Sequence, residues 1–287
     1  MKKEKRKGVN QWQEVLNILL HNPNAIIGFV IVAVLIILAI LAPWISPYNY
    51  LEMNLAIAKQ GPSAAHIFGT DDLGRDILSR IIYGSRVSMI VAVGATIVGA
   101  IIGVLIGLTA GYFGGWIDSV LMRVMDGMFS FPFILLAMIL ITVLGNGVMN
   151  VILAIGIASV PGFARVTRGQ VLIVKEEEYC NACRVVGVSP VRLLFLHILP
   201  NCVSQIIVYA TLRIASAIIS EASLSFLGLG IALPTASWGS ILRVGRDCLT
   251  TAPHVAGTAG AFILVTVIGF NLLGDGIRDV MDPKMKQ

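Results

Sequence analysis

Two cysteines three residues apart, Cys180 and Cys183, and two ionisable residues inside long apolar runs, Arg213 and Glu221, carry most of this chain's capacity for chemistry. A Cys-x-x-Cys pair binds zinc when a second pair completes the ligand set, or exchanges disulfides in a thioredoxin-like βαβ setting. Neither accompaniment is present, so no metal or redox role is assigned to it. Arg213 and Glu221 are costly in hydrocarbon and must face protein or water, which makes both candidates for lining a polar pathway; Glu221 equally fits a structural place near a membrane surface. Asp71, Asp72 and Asp76 could suggest a cation site, but Arg75 and Arg80 interleave with them, so an internal charge network is expected. No lysine follows a glycine, which removes the phosphate-cradling Gly-x-x-x-x-Gly-Lys-Ser/Thr, and neither a nucleophile elbow nor a His/Glu cluster at ligand spacing occurs. No catalytic residue and no metal ligand is therefore expected, and the chain is not expected to be an enzyme.

These residues sit in a chain of 287 residues that is 56% hydrophobic and only 13% charged, with mean hydropathy +0.86. That balance, with repeated long apolar runs, predicts an all-α membrane protein. Six transmembrane helices are expected at about 25–45, 87–109, 124–144, 149–166, 204–226 and 255–273, the fourth being short because Pro161 and Gly162 interrupt it. Most of the basic residues outside these spans, among them Lys2, Lys3, Lys5, Arg6, Lys7, Arg123, Arg168, Lys175, Arg184 and Arg192, and with them Arg165 at the end of the fourth span, fall on the side of the N-terminus. The asymmetry predicts cytoplasmic N- and C-termini, and it accounts for the net charge of +5 without any nucleic-acid partner. The basic start followed by an apolar run is read as a retained first helix, since the run is too long for a signal peptide and further spans follow.

The resulting division is a cytoplasmic tail (1–24), a first helix (25–45), an extracytoplasmic loop with an interfacial helix (46–86), a five-helix core (87–273) and a cytoplasmic tail (274–287). In the long loop, Thr70 or Asp71 is expected to cap a helix whose apolar face is Ile77, Leu78, Ile81 and Ile82, leaving Asp76, Ser79 and Arg80 polar. Gly99, Gly103 and Gly107, four apart, predict close helix packing in the second span. Trp238 is expected at the membrane interface, and the last helix is expected to close on glycine and proline stops between Gly274 and Pro283.

The segment 176–201 is a polar interruption of a different kind. Tyr179, Ala182, Cys183 and Val186 recur at helical spacing, and Gly187 supplies a turn residue tolerant of positive φ. Ser189 and Pro190 then open a second helix, with Val191, Leu194, Phe195 and Ile198 as its apolar positions, ending at Pro200. The pattern fits two short helices joined by a tight turn; on physical grounds it is either an amphipathic loop lying on the membrane or a docking surface for another protein.

The same segment resembles the coupling loop of ATP-binding-cassette (ABC) importer permeases, whose pattern is Glu-Ala-Ala, three residues, Gly, nine residues, Ile, one residue, Leu-Pro. Ala182, Gly187, Leu199 and Pro200 match it, while Asn181, Cys183 and His197 replace its Glu, second Ala and Ile. Phe68-Gly-Thr-Asp-Asp-Leu-Gly-Arg-Asp76, Ser223-Leu-Ser-Phe-Leu-Gly-Leu-Gly230, Pro234-Thr-Ala-Ser-Trp238-Gly and the segment Asn271 to Pro283 resemble the permeases of dipeptide, oligopeptide and nickel importers, specifically the C-type member of the permease pair. The resemblance implies a type I importer permease fold in a bacterial cytoplasmic membrane. It implies contact with ATPase subunits through Tyr179, Ala182, Cys183, Gly187, Leu199 and Pro200. The implied partners are a second homologous permease, two cytoplasmic ABC ATPases that bind ATP and Mg, an extracytoplasmic solute-binding protein and membrane lipid. Small peptides are the implied cargo, with glutathione, nickel or another metal chelate as alternatives. A secondary transporter driven by an ion gradient is the rival from another class, but the two halves show no evident repeat and Glu221 is the only acid well inside an expected span.

Overall fold

Long apolar runs in lipid must satisfy every backbone polar group internally, and helices are the local solution. In the computed structural model, which describes residues 22–281, they form α1 (Pro23–Ile45), α2 (Ile77–Phe113), α3 (Gly115–Phe129), α4 (Phe133–Leu144), α5 (Val148–Val174), α6 (Glu178–Val185), α7 (Pro190–Leu193), α8 (Leu199–Phe226), α9 (Trp238–Asp247) and α10 (Pro253–Met281). Five stretches are long and apolar enough to cross a membrane, or six if α3 and α4, bent by 91° at their junction, count as one broken span. Among the described residues the only β pairing is an isolated bridge between Thr70 and Asp76. The expected tail 1–24 lies almost wholly outside the described residues.

Several expected boundaries differ from the structure, each for a local reason. The second span does not begin at 87: α2 runs unbroken from Ile77, and its cap is Asp76, whose carboxylate accepts the Ser79 N–H at 2.7 Å, in place of Thr70 or Asp71. Ser79 and Arg80 are not on a polar outer face but buried. The expected third span breaks at Ser130–Phe131–Pro132, because proline disfavours helical geometry in the residue before it. Pro161, by contrast, lies buried inside a continuous α5, so the fourth span is not short. The last helix passes straight through Gly274 and Gly276. These glycines admit neighbours: a Cβ on Gly276 would lie 2.3 Å from Ala25 Cβ, and one on Gly274 would lie 2.9 Å from Leu212 Cδ2.

The core is built on the pair α2 and α5. A Cβ on Gly99 would fall 1.9 Å from Ser159 Oγ, on Gly103 2.5 Å from Phe163 Cβ, and on Gly107 2.5 Å from the Ala164 carbonyl. Small residues are what permit this approach, since lipid provides no hydrophobic drive between helices and van der Waals contact must hold the pair. Replacing Gly103 by valine is expected to force the helices apart and cost about 1–3 kcal/mol, read as a lower melting temperature of the detergent-solubilised protein; an unchanged melting temperature would show that the contact is slack.

The α2 N-terminus is anchored by the charge network expected from sequence. Asp71 Oδ2 lies 2.7 Å from Arg75 Nε and 3.6 Å from Arg80 Nε, while Asp71 Oδ1 accepts the Leu73 and Arg75 N–H groups. Both arginines are 1% exposed. Arg80 also donates to the Tyr50 carbonyl at 3.2 Å, and His66 Nδ1 lies 2.9 Å from Asp76 Oδ1. Gly74, at φ +72°, makes the turn that closes the network; a Cβ there would lie 1.8 Å from the Asn54 carbonyl oxygen.

Candidate functional site

The segment after α5 folds as two short helices because its sequence supplies the stops. The Gly187 N–H donates to the Arg184 carbonyl and the Val188 N–H to the Cys183 carbonyl, a Schellman ending made possible by φ +82° at Gly187. Pro190 opens α7 at its first turn, although the Ser189 side chain makes no capping bond. The second helix does not end at Pro200. A π turn over Leu194–Ile198, with the Leu199 N–H donating to the Leu194 carbonyl, widens the backbone ahead of Pro200. Pro200 lacks an N–H and its ring would crowd a regular preceding turn, so the wider turn lets the chain continue into α8.

The inward face of α6 differs from the stripe that the sequence suggested. Cys180 is fully buried with Leu193, Ile198 and Cys202 against Leu108, Val171 and Val174, and Cys183 packs on the same cluster. This cluster joins α6 and α7 to the ends of α2, α5 and α8. Polar contacts reinforce it: Asn201 Nδ2 donates to the Tyr179 hydroxyl at 3.0 Å and to the His197 carbonyl at 2.7 Å, and Lys175 Nζ donates to the Gly111 carbonyl at 2.9 Å. Partial withdrawal from water, with Cys180 as the second cause, pushes the Tyr179 pKa up to about 12, so its phenol is neutral at physiological pH.

The outward face is open, with an apolar corner flanked by the exposed Arg184 and Arg192. Val185 is 88% and Val186 82% exposed, Val191 and Leu196 are exposed beside them, and a Cβ on Gly187 would meet no atom within 4 Å. Of the sequence-chosen residues, Tyr179, Ala182, Gly187 and Pro200 are exposed, Leu199 is half-buried, and Cys183 turns inward. Val185 was missed because it follows a charged residue outside the apolar stripe. Its exposure depends on how α6 is rolled onto the Cys180 cluster, which spacing alone does not give. The segment can therefore present an apolar corner to a partner while its base is fixed to three long helices.

The two intramembrane candidates are separated by the structure. Glu221 is fully buried: Ser225 and Ser237 donate to Oε1 at 2.9 Å each, and Ser88 donates to Oε2 at 3.2 Å. Ser88 Oγ in turn accepts the Trp238 N–H, and the Trp238 indole donates to the Ile81 carbonyl at 3.2 Å. Trp238 is thus buried, contrary to its expected interfacial place, and Glu221 fits the structural alternative, holding α2, α8 and α9 together. Arg213 lies about midway along α8, half-buried, with its guanidinium carbon 5.0 Å from the Phe133 ring centre and 5.9 Å from that of Tyr209.

Comparison with known proteins agrees with this arrangement. The sequence profile described as "binding-protein-dependent transport system inner membrane component" matches residues 103–287, and that of the "N-terminal TM domain of oligopeptide transport permease C" matches residues 10–62. The chain is 46% identical over 278 residues to the glutathione transport system permease protein GsiD of Escherichia coli, covering 96% of this chain and 91% of that one. It is 48% identical to the corresponding protein of Salmonella typhimurium over the same shares. Inward-facing crystal forms of the MetNI methionine ABC transporter share the fold, with TM-score 0.57 over 72% of this chain and 98% of that one at 18% identity. The ion-coupled reading gives way to these matches. With a sequence profile matched over residues 103–287 and relatives 46–48% identical along almost the whole chain, the chain belongs to the family of binding-protein-dependent inner membrane permeases of ABC importers.

Proposed function

We propose that this chain is one of two homologous permeases in an importer that carries small peptides, glutathione being the first candidate cargo, into the cytoplasm. Both termini and the α6–α7 segment lie on the cytoplasmic side, where two ATPase subunits bind ATP and Mg, and a solute-binding protein delivers cargo to the opposite end. The observation that carries the mechanism is the open apolar corner around Gly187 on a base tied to α2, α5 and α8. A partner that grips this corner moves the base with it, and the displacement passes to the spans, opening the pathway to each side in turn. The 46–48% identity to glutathione permeases supports the choice of cargo.

The test is co-purification of the tagged chain from native membranes, followed by uptake in vesicles. Recovery with a second permease and ATPases, and ATP-dependent uptake of glutathione delivered by the binding protein, is the expected result. Uptake of a nickel chelate but not of glutathione would reject the peptide reading. Uptake indifferent to ATP would reject the importer mechanism itself.

A further inference from the structure

The elbow between α3 and α4 bends by 91° a helix pair that together is long and apolar enough for one span, and discontinuous helices are where transporters hold substrate. Phe129, Ser130, Phe131 and Pro132 at this elbow are all exposed, so the break opens outward from the subunit. Arg213 reaches the same place from α8. Its guanidinium stacks near Phe133, the first residue after the break, and near Tyr209, which itself packs edge-on against Phe163 at 4.8 Å between ring centres. Arg213 Nε is buried with no hydrogen-bond partner. Among the described residues the ion pairs use Arg75, Arg80, Arg165, Arg168, Arg246 and His66, and no carboxylate lies within salt-bridge distance of Arg213.

The contrast with nearby arginines gives this its meaning. Arg165 also stacks on a ring, Phe129 at 4.0 Å, but it pairs with Asp126 at 2.7 Å. Arg168 makes a two-pronged bond to Asp118 at 2.5 and 2.6 Å. These two join α3 to α5 and are neutralised locally. Arg213 has the aromatic support without the counter-ion, at a depth where an uncompensated charge is expensive. Stacking fixes the guanidinium plane and leaves its edge to accept a carboxylate through two parallel N–H bonds, the geometry in which arginine binds such groups best.

We propose that Arg213, on its Phe133 and Tyr209 support at the elbow between α3 and α4, is a transient binding station for the C-terminal carboxylate of the transported peptide. This rests on the peptide-importer reading above and specifies which cargo group the pathway recognises. Release requires only that water replace these two N–H bonds once the pathway opens.

The test uses the whole complex in proteoliposomes with glutathione and its glycine-amide derivative, each at saturation of the binding protein. The wild type is expected to transport the form with the free glycine carboxylate better, the γ-glutamyl carboxylate being common to both. R213Q should lower glutathione uptake at least tenfold and abolish the preference, while R213K, keeping the charge, should keep the preference. Equal preference in R213Q and wild type would overturn the proposal. A second readout stands apart from cargo: R213C, assembled and then treated with water-soluble methanethiosulfonates, should be labelled above the wild-type background, and the cationic aminoethyl adduct should transport better than the anionic sulfonatoethyl one. Absence of labelling with and without ATP would place residue 213 away from water and reject the station even if R213Q fails to assemble. Failure of wild type to transport either peptide would reject the peptide reading instead, while the labelling still decides whether Arg213 faces the pathway.

Discussion

Alanine in place of Glu221 is expected to destabilise the folded chain by about 3 kcal/mol, since three buried hydroxyls lose their acceptor and each unsatisfied buried group costs roughly 1–3 kcal/mol. The lower end of that range applies because the Ser88 and Ser225 hydroxyls, which lie within helices, can turn to a carbonyl one helical turn back, as Ser220 already does toward Ser216. Glutamine at the same position should cost less. Its single carbonyl oxygen can keep the Ser225 and Ser237 bonds made to Oε1, and only the Ser88 proton, now facing an amide nitrogen, loses its acceptor. Thermal unfolding in detergent should therefore rank wild type above Glu221→Gln above Glu221→Ala. Alanine as stable as wild type would remove the structural account and return Glu221 to the pathway.

The second large effect concerns transport, with the fold preserved. Valine at Gly187 has to adopt φ near +82°, a conformation that costs an L-residue about 1–2 kcal/mol and a β-branched one more. The turn can relieve this only by abandoning the Schellman ending and moving Val185 and Val186 off their corner. An equilibrium biased by that amount shifts roughly 5–30-fold, and ATP-driven uptake is expected to fall by about that factor. Membrane insertion should hold and the melting temperature should fall by no more than the few degrees that this strain implies, because a Cβ on Gly187 touches nothing within the chain. ATP hydrolysis that persists while uptake falls is the uncoupled signature. Undiminished uptake by Gly187→Val would mean that the corner does not transmit force.

What could be read from sequence follows from which signals are local. The Gly187 turn was legible because a positive-φ glycine before Ser-Pro has one main structural use. Likewise the alternation of Asp71, Asp72, Arg75, Asp76 and Arg80 pointed to mutual neutralisation, which the structure shows. The start of α2 was not legible, since Ser79 and Arg80 look like solvent-facing residues until Tyr50, Asp71 and Asp76 are known to be their partners. Trp238 misled for the same reason: its indole N–H suggests an interface, but the Ile81 carbonyl supplies the acceptor from 157 positions away. Proline was ambiguous in both directions. Pro132 breaks a span, Pro161 sits within one, and Pro200 is passed by a π turn, and the difference lies in what packs around each. For the candidate site, the location of the corner was readable while its outward side chains were not, because the roll of α6 is set by Leu193, Ile198 and Cys202, residues of the following segments.

The uninterrupted length of α2 has a mechanical meaning. Its 37 residues measure about 55 Å at 1.5 Å per residue, well beyond the ~30 Å of bilayer hydrocarbon. It contains no proline, and its glycines from Gly94 to Gly111 pack against α5 while Gly84 packs against Ser237 and Trp238. One end is held in the Asp71–Arg80 network and under Trp238; the other carries Leu108 and Gly111, against which the α6–α7 segment and Lys175 rest. A strut of this kind resists shortening, so an axial shift imposed at one end of α2 reappears at the other.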